Sequence, residues 1–338
     1  MRALCLDFER RTVAEAGIPD PSPPGPGEAL LHIREVGVCA TDRELTRFRF
    51  GQPPPGESLL ALGHEALAQV AACGPGVETL RPGSWVVPMI RRACPGPCPS
   101  CAQGRYDLCR TDGYLERGIT RAHGYFTRQA VDPVHALIPV PPQLVGVAVL
   151  AEPLSVVEKA IDTGLRAHPL EPRSACVVGA GPVGLLAAFS LLTRGFQVQT
   201  VSLEPDDHPR VQLLRRAGVP YTRTAPTGRF DLVLEASGSR DAAHAALDCL
   251  APCGVLVLIG APNPGLAVPG IRMVVDNLTV TGIVNAARSH FDAAFSTLAR
   301  IPRHWLDSMI ERRPQAAWRE SFASAAAVPK IVHPIEPA

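Results

Sequence analysis

Lysine is nearly missing from this chain. Of 33 basic residues only Lys159 and Lys330 are lysines and the rest are arginines, a skew that reads as genome bias rather than function. A charge excess of either sign is missing too: 33 Lys plus Arg stand against 32 Asp plus Glu, a formal net charge of +1. That balance argues against nucleic acid or an anionic membrane as the main partner. No run approaches the roughly 18 consecutive apolar residues that span a bilayer. The N-terminus carries Asp7 where a secretion signal would keep its apolar stretch, so a soluble cytoplasmic protein is expected.

Hydrophobic residues make up 46% of the 338 positions and charged residues 19%, enough for two buried cores at roughly 100–200 residues each. Up to about residue 145 proline and glycine interrupt the chain repeatedly, at 19–27, 52–56, 81–83 and 94–101, with short apolar runs at 29–36, 66–72 and 84–87. This pattern predicts a β-rich domain of short strands. After Pro142 the character changes. Residues 152–161 place Leu154, Val157 and Ile161 on one helical face, with Pro153 in the first turn. From Ser174 onward, predicted strands at 175–178, 198–203, 231–235, 255–259 and 278–283 alternate with helices at 182–193, 211–217 and 241–250. Such alternation indicates βαβ units and a parallel sheet. The expected fold class is α/β. The expected division is a β-rich domain over 1–150, a dinucleotide-binding domain over 151–290 and a C-terminal segment, 291–338, completing the fold.

Three groups of residues carry chemistry. Gly179-Ala180-Gly181-Pro182-Val183-Gly184 follows a predicted strand and opens a predicted helix. Glycines there allow a tight turn and close approach of a pyrophosphate to the helix N-terminus. Some 20 residues on, Ser202 and Glu204 fall where a ribose 2′-hydroxyl is read; an acid repels a 2′-phosphate, so NAD is favoured modestly over NADP. Arg210 and Arg223 are too far along the chain to weigh by sequence. Secondly, Cys94-x3-Cys98-x2-Cys101-x7-Cys109 offers four soft ligands in one loop, as a closed structural zinc site requires. In a reducing compartment metal ligation is the better reading than disulfides. Thirdly, Cys39 with Thr41 two residues later, and the adjacent pair His64-Glu65, are candidates for a catalytic metal. Spacing alone cannot bring residues 39 and 64 together.

In combination these motifs resemble the zinc-dependent medium-chain alcohol dehydrogenase family. The stretches Gly104-Arg105-Tyr106-Asp107-Leu108-Cys109, Glu116-Arg117-Gly118-Ile119, residues 152–160 and Val284-Asn285 are similar to its glucose 1-dehydrogenase branch. The resemblance runs over about residues 1–295. It implies a GroES-like catalytic domain joined to a Rossmann domain with the substrate between them, and two zincs per chain. One zinc would be held by Cys39 and His64, with Glu65 and Glu152 close enough to coordinate directly or through water. The other would be held by the four cysteines. It also implies that Glu116 and Asn285 face the sugar and the nicotinamide, that Thr41 passes a proton toward solvent, and that the chain forms a homo-tetramer or dimer through the sheet edge near 280–285.

Departures from the branch bear on substrate. Ile90 stands where the branch has an asparagine that helps hold the sugar, and Met273-Val274-Val275-Asp276-Asn277 replaces a region with a histidine. Each lost contact leaves a sugar hydroxyl desolvated at roughly 1–3 kcal/mol, which weakens the case for glucose itself. Leu203-Glu204 replaces a basic pair, Ala68 replaces a glycine, and Pro97 is an extra loop residue. The expected function is hydride transfer from a sugar or polyol hydroxyl to NAD(P). The competing readings are a dehydrogenase of a less polar alcohol, a zinc protein contacting nucleic acid, and a redox-responsive regulator on an inactive dehydrogenase fold.

Overall fold

The computed structural model describes residues 1–224, 226, 228–260, 265–323 and 329–336. In the first half the strand Glu28–Val38 is the organising element. Its alternating Ala29, Leu31 and Ile33 point inward while their neighbours face out, the period that a half-buried antiparallel strand requires. It pairs antiparallel with Glu65–Cys73 and Gln129–Pro133, and with Lys330–Pro334 from the far end of the chain. The sheet runs Leu137–Pro139, Trp85–Pro88, Glu65–Cys73, Glu28–Val38, Lys330–Pro334, Ile310–Arg312. The strand Lys330–Pro334 therefore lies in the first sheet, beside the strand that leads into Cys39.

The second half holds six strands in the spatial order Tyr221–Thr222, Gln197–Val201, Ser174–Val178, Phe230–Glu235, Leu250–Leu258, Thr279–Gly282. All neighbours are parallel, and the order 3-2-1-4-5-6 is that of a doubly wound sheet. The strand order reverses beside Ser174–Val178, so a crevice opens where the glycine-rich turn leaves that strand. The helix Pro182–Thr193 has the span its sequence predicts, starting on a proline that a first turn tolerates. The helix expected to reach residue 250 stops at Asp248, and Leu250 instead begins the next strand. There it pairs with Phe230 and is fully buried, so tertiary burial overrides the helical period.

Helix Ala151–Ala167 joins the halves. Leu154, Val157 and Ile161 are buried in a core that extends from Leu67, Val87 and Met89 to Leu186, Phe189 and Leu234 of the second domain. No helix among the described residues is long and apolar enough to cross a membrane.

Behind the first sheet lies a buried charged network. Asp132 Oδ1 accepts from Arg92 Nη2 at 2.7 Å and Arg117 Nη2 at 2.8 Å, and Oδ2 accepts from the Tyr125 hydroxyl at 2.7 Å. Burial alone would raise the Asp132 carboxyl, but Arg117 and Arg92 outweigh it and hold it below the usual carboxylate range. A depressed folded-state value means the stabilisation is fully present above about pH 4 and fades as the pH falls through the folded value. Asp132→Asn leaves two guanidiniums without their counter-charge. It should cost about 3–5 kcal/mol in denaturant unfolding, and the variant should lose less stability than the parent between pH 5 and 3.

Candidate active site

Strand Glu28–Val38 delivers Cys39 to the N-cap of the short helix Ala40–Thr46. Two local bonds fix it: the Cys39 amide donates to Asp42 Oδ2 at 2.9 Å, and the Thr41 amide donates to Cys39 Sγ at 3.2 Å. His64 arrives from the neighbouring strand's entry. Gly63 precedes it with φ +92°, a left-handed turn that favours glycine, and a Cβ there would crowd Phe126. The turn brings His64 Nε2 to 3.0 Å from Cys39 Sγ, while Asp42 Oδ1 lies 3.3 Å from Nδ1. Burial would lower the imidazole's pKa, yet Asp42 and Cys39 outweigh it and hold it well above the ordinary value. A carboxylate behind Nδ1 sets the tautomer and leaves Nε2 to ligate.

Glu65 opens the strand Glu65–Cys73 and is fully buried. Its Oε2 forms an ion pair with Lys330 Nζ, brought in by the C-terminal strand. Gly37 sits opposite Glu65 in the sheet register, and a side chain at Gly37 would land on Glu65 Oε2. Glu152, in the first turn of helix Ala151–Ala167, is also buried; burial first, and then the Glu65 charge, push its carboxyl up to about 7. The donor atoms of Cys39, His64 and Glu65 all lie within 4.8 Å of one another. Asp42, Glu65, Glu152 and the Cys39 thiol thus gather around the His64 ring and the Lys330 ammonium. That surplus of anionic donors, with soft and borderline ligands on one side, fits a divalent cation such as zinc.

The sulfurs of Cys94, Cys98, Cys101 and Cys109 form a second such group, also within 4.8 Å, with Cys94 and Cys101 3.8 Å apart. The Arg110 and Cys101 amides pull the Cys98 thiol down to about 6, whereas burial pushes Cys101 up to about 12. Four converging sulfurs of this kind suit a closed tetrahedral ion.

At the parallel sheet, Gly179 adopts φ +109°. A Cβ at Gly184 would strike the Gly179 carbonyl, while a Cβ at Gly181 would meet nothing within 4 Å. The open face at Gly181, at the N-cap of the helix that Pro182 and Val183 begin, is the space that a pyrophosphate needs. At the next strand's end, Ser202 Oγ bonds Glu204, and Tyr221 holds their carbonyls at 3.0 and 2.6 Å. Arg210, too remote in sequence to weigh, folds back to 3.4 Å from Glu204 Oε1.

Glu116 and Asn285 are 169 positions apart, yet Asn285 Nδ2 donates to Glu116 Oε1 at 2.6 Å across the two halves. Arg91, which sequence reasoning passed over, reaches the same oxygen through Nη2 at 2.8 Å and Nε at 2.9 Å. Ile90 beside it is buried in the first domain's apolar core, and Val275 is 70% exposed. Asp42 and Lys330 were also missed. The third-position acid in Cys39-Ala40-Thr41-Asp42 and the rarity of lysine were the available signals.

Fold and site together define a zinc-dependent medium-chain dehydrogenase, an enzyme of the NAD(P) oxidoreductase class. Residues 25–142 match the alcohol dehydrogenase GroES-like domain, and residues 145–332 match the glucose dehydrogenase C-terminus. A glucose 1-dehydrogenase of Thermoproteus tenax is 40% identical over 293 residues, 83% of this chain and 82% of that one. One of Methanocella arvoryzae is 37% identical over 86% of this chain and 87% of its own. The solved Haloferax mediterranei glucose dehydrogenase, in complex with NADP, Zn and gluconolactone, superposes with a TM-score of 0.91 at 28% identity, covering all of both chains. The chain belongs to the glucose dehydrogenase branch of the family.

A methyl group in Gly184→Ala would strike the Gly179 carbonyl and force the helix away from the turn expected to cradle a dinucleotide. Fluorescence titration with reduced dinucleotide should show binding weakened at least about tenfold, and unchanged binding would refute this reading of the loop.

Proposed function

We propose that the chain oxidises a hydroxyl of a glucose-like aldose or polyol and passes the hydride to NAD(P). The observation that carries this reading is the meeting of Cys39, His64 and Glu65, from separate stretches of chain, in one buried group of ligand atoms. Cys39 and His64 would hold the catalytic zinc, with Glu65 and Glu152 ligating directly or through water, and the four-cysteine group would hold a structural one. When bound, the zinc supplies Lewis-acid polarisation of the reacting hydroxyl and the nicotinamide accepts the hydride.

The chain's own groups do the rest. Asp42 keeps the His64 ring oriented, and Lys330 holds Glu65. Thr41, beside Cys39, passes the hydroxyl proton from its Oγ1 toward solvent. Glu116 and Asn285 orient the substrate's remaining hydroxyls, with Arg91 fixing the Glu116 carboxylate. Gly179, Gly181 and Gly184 seat the pyrophosphate. Glu204, at the end of the second strand, favours a ribose 2′-hydroxyl and so NAD, whereas Arg210 beside it is the group that would accommodate a 2′-phosphate, which is why the two acceptors are compared directly. All ten cysteines are free, which supports a reducing, cytoplasmic location.

The test is a cofactor-reduction assay over aldoses, polyols and simple alcohols with NAD and NADP in parallel. Turnover should be highest with an aldose or polyol, kcat/KM should be higher with NAD, and Cys39→Ala should abolish turnover. A second reading, a less polar alcohol, is tested by the same panel, which would reveal it by a preference for simple alcohols. Reduction with none of them would overturn the function.

A second copy of the chain is the proposed partner. The edge strand Thr279–Gly282 pairs on one side only among the described strands, and Ile271, Val274 and Val275 beside it are 70–85% exposed. An open edge next to an apolar patch suits two-fold pairing with itself, giving a dimer or, by a further contact, a tetramer. Light scattering should find an oligomer for the parent and a smaller species for Ile271→Asp/Val274→Asp; a monomeric parent would refute the pairing.

A further inference from the structure

Both of the chain's lysines are buried, Lys159 at 5% exposure and Lys330 at 1%. Where every other basic residue is arginine, two buried ammonium groups mark places that need a compact three-donor cation rather than a flat fork. Lys330 serves Glu65. Lys159 bonds to none of the candidate metal ligands and to no residue of the glycine-rich turn, yet three segments of the enzyme meet on its Nζ.

Lys159 stands on helix Ala151–Ala167. Its Nζ lies 2.7 Å from Asp107 Oδ2 and donates to the Val284 carbonyl at 2.8 Å. Asp107 belongs to the four-cysteine lobe, between Cys101 and Cys109. It is buried and is gripped from the other side by Arg105 Nε and Nη2, both at 2.9 Å. Val284 leads directly into Asn285, whose backbone is left-handed at φ +54° and whose side chain bonds Glu116 across the two halves. Asparagine tolerates that conformation better than other side chains, and it fixes the direction in which the Asn285 amide leaves the backbone. Downstream the segment is anchored, because Ala286 and Ala287 are buried and the Ala287 amide donates to His290 Nδ1 at 3.0 Å. Upstream, the Ile283 amide donates to the Leu258 carbonyl at 3.1 Å; between that bond and Asn285 the Val284 side chain is 54% exposed, so the bond from Lys159 Nζ to the Val284 carbonyl is the polar hold next to Asn285.

We infer that Lys159 is a positioning residue that ties Asn285 to the four-cysteine lobe, making the lobe part of the substrate-reading apparatus as well as a stabilising element. The inference rests on the proposed role of Asn285 toward the sugar. It places the specificity of the reaction under the control of a loop whose sulfurs never touch substrate.

The experiment uses full-length, zinc-loaded Lys159→Met, with Asp107→Asn as a second variant that keeps shape and removes the counter-charge. Steady-state kinetics should show the sugar KM raised about tenfold, with kcat within about threefold and the dinucleotide KM unchanged, as expected when one polar contact is misplaced. Hydrogen exchange should quicken about tenfold in amides of 283–287 while those of 174–178 keep their protection. If Lys159→Met does not fold, Asp107→Asn decides by the same readouts. Exchange at 283–287 and sugar KM both within twofold of the parent would overturn the inference. So would equal acceleration at 174–178, which would make the lysine merely structural. Should the parent oxidise no sugar at all, the functional reading fails by itself and the exchange pattern alone still decides the tie.

Discussion

The charge balance around Cys39 and His64 governs how the rest of the molecule is built. Asp42, Glu65 and Glu152 are buried beside a thiol, and Lys330 is the ammonium set against them. Collecting carboxylates in a dry interior is costly, and Glu152, pushed up to about 7 by burial and by Glu65, records that cost. A divalent cation held there would offset it, and the structural features nearby bring the candidate ligands from distant parts of the chain into range.

That requirement explains the topology of the first domain. Cys39 directly follows one strand, Glu65 begins its antiparallel neighbour, and Lys330 enters on the strand at the other side. Gly37 leaves room for the ion pair between them, and Gly63 turns the chain so that His64 faces the sulfur. The last strand of the chain thus closes the first domain's sheet. Helix Ala151–Ala167 contributes Glu152 at one end and Lys159 nearer the middle, so one element touches the catalytic group, the four-cysteine lobe and the loop that carries Asn285.

What was legible in the sequence was mostly local. The glycine fingerprint, the four-cysteine loop and the alternation of strands and helices are each encoded within a few dozen residues, and a β-rich part followed by a βαβ part follows from them, whereas the GroES-like form of the first part came through resemblance. The convergence of Cys39 with His64 was reached through resemblance, because nothing in the spacing of residues 39 and 64 reports a shared sheet register. Arg210 lay beyond sequence reasoning because a helix N-terminus folds it back onto Glu204. The two lysines looked like survivors of a compositional bias. Their importance became visible only with their burial, since an ion pair between residues 265 positions apart leaves no periodic trace.

The central claim is that Cys39 and His64 share one bound ion, separate from that of the four-cysteine lobe. Anomalous diffraction from crystals of the purified protein, recorded on both sides of the zinc absorption edge, tests it most directly. Two zinc peaks per chain are expected, one at roughly 2.0–2.3 Å from Cys39 Sγ and His64 Nε2 and one enclosed by the sulfurs of Cys94, Cys98, Cys101 and Cys109. A single peak in the four-cysteine lobe, in protein that is catalytically active, would contradict it.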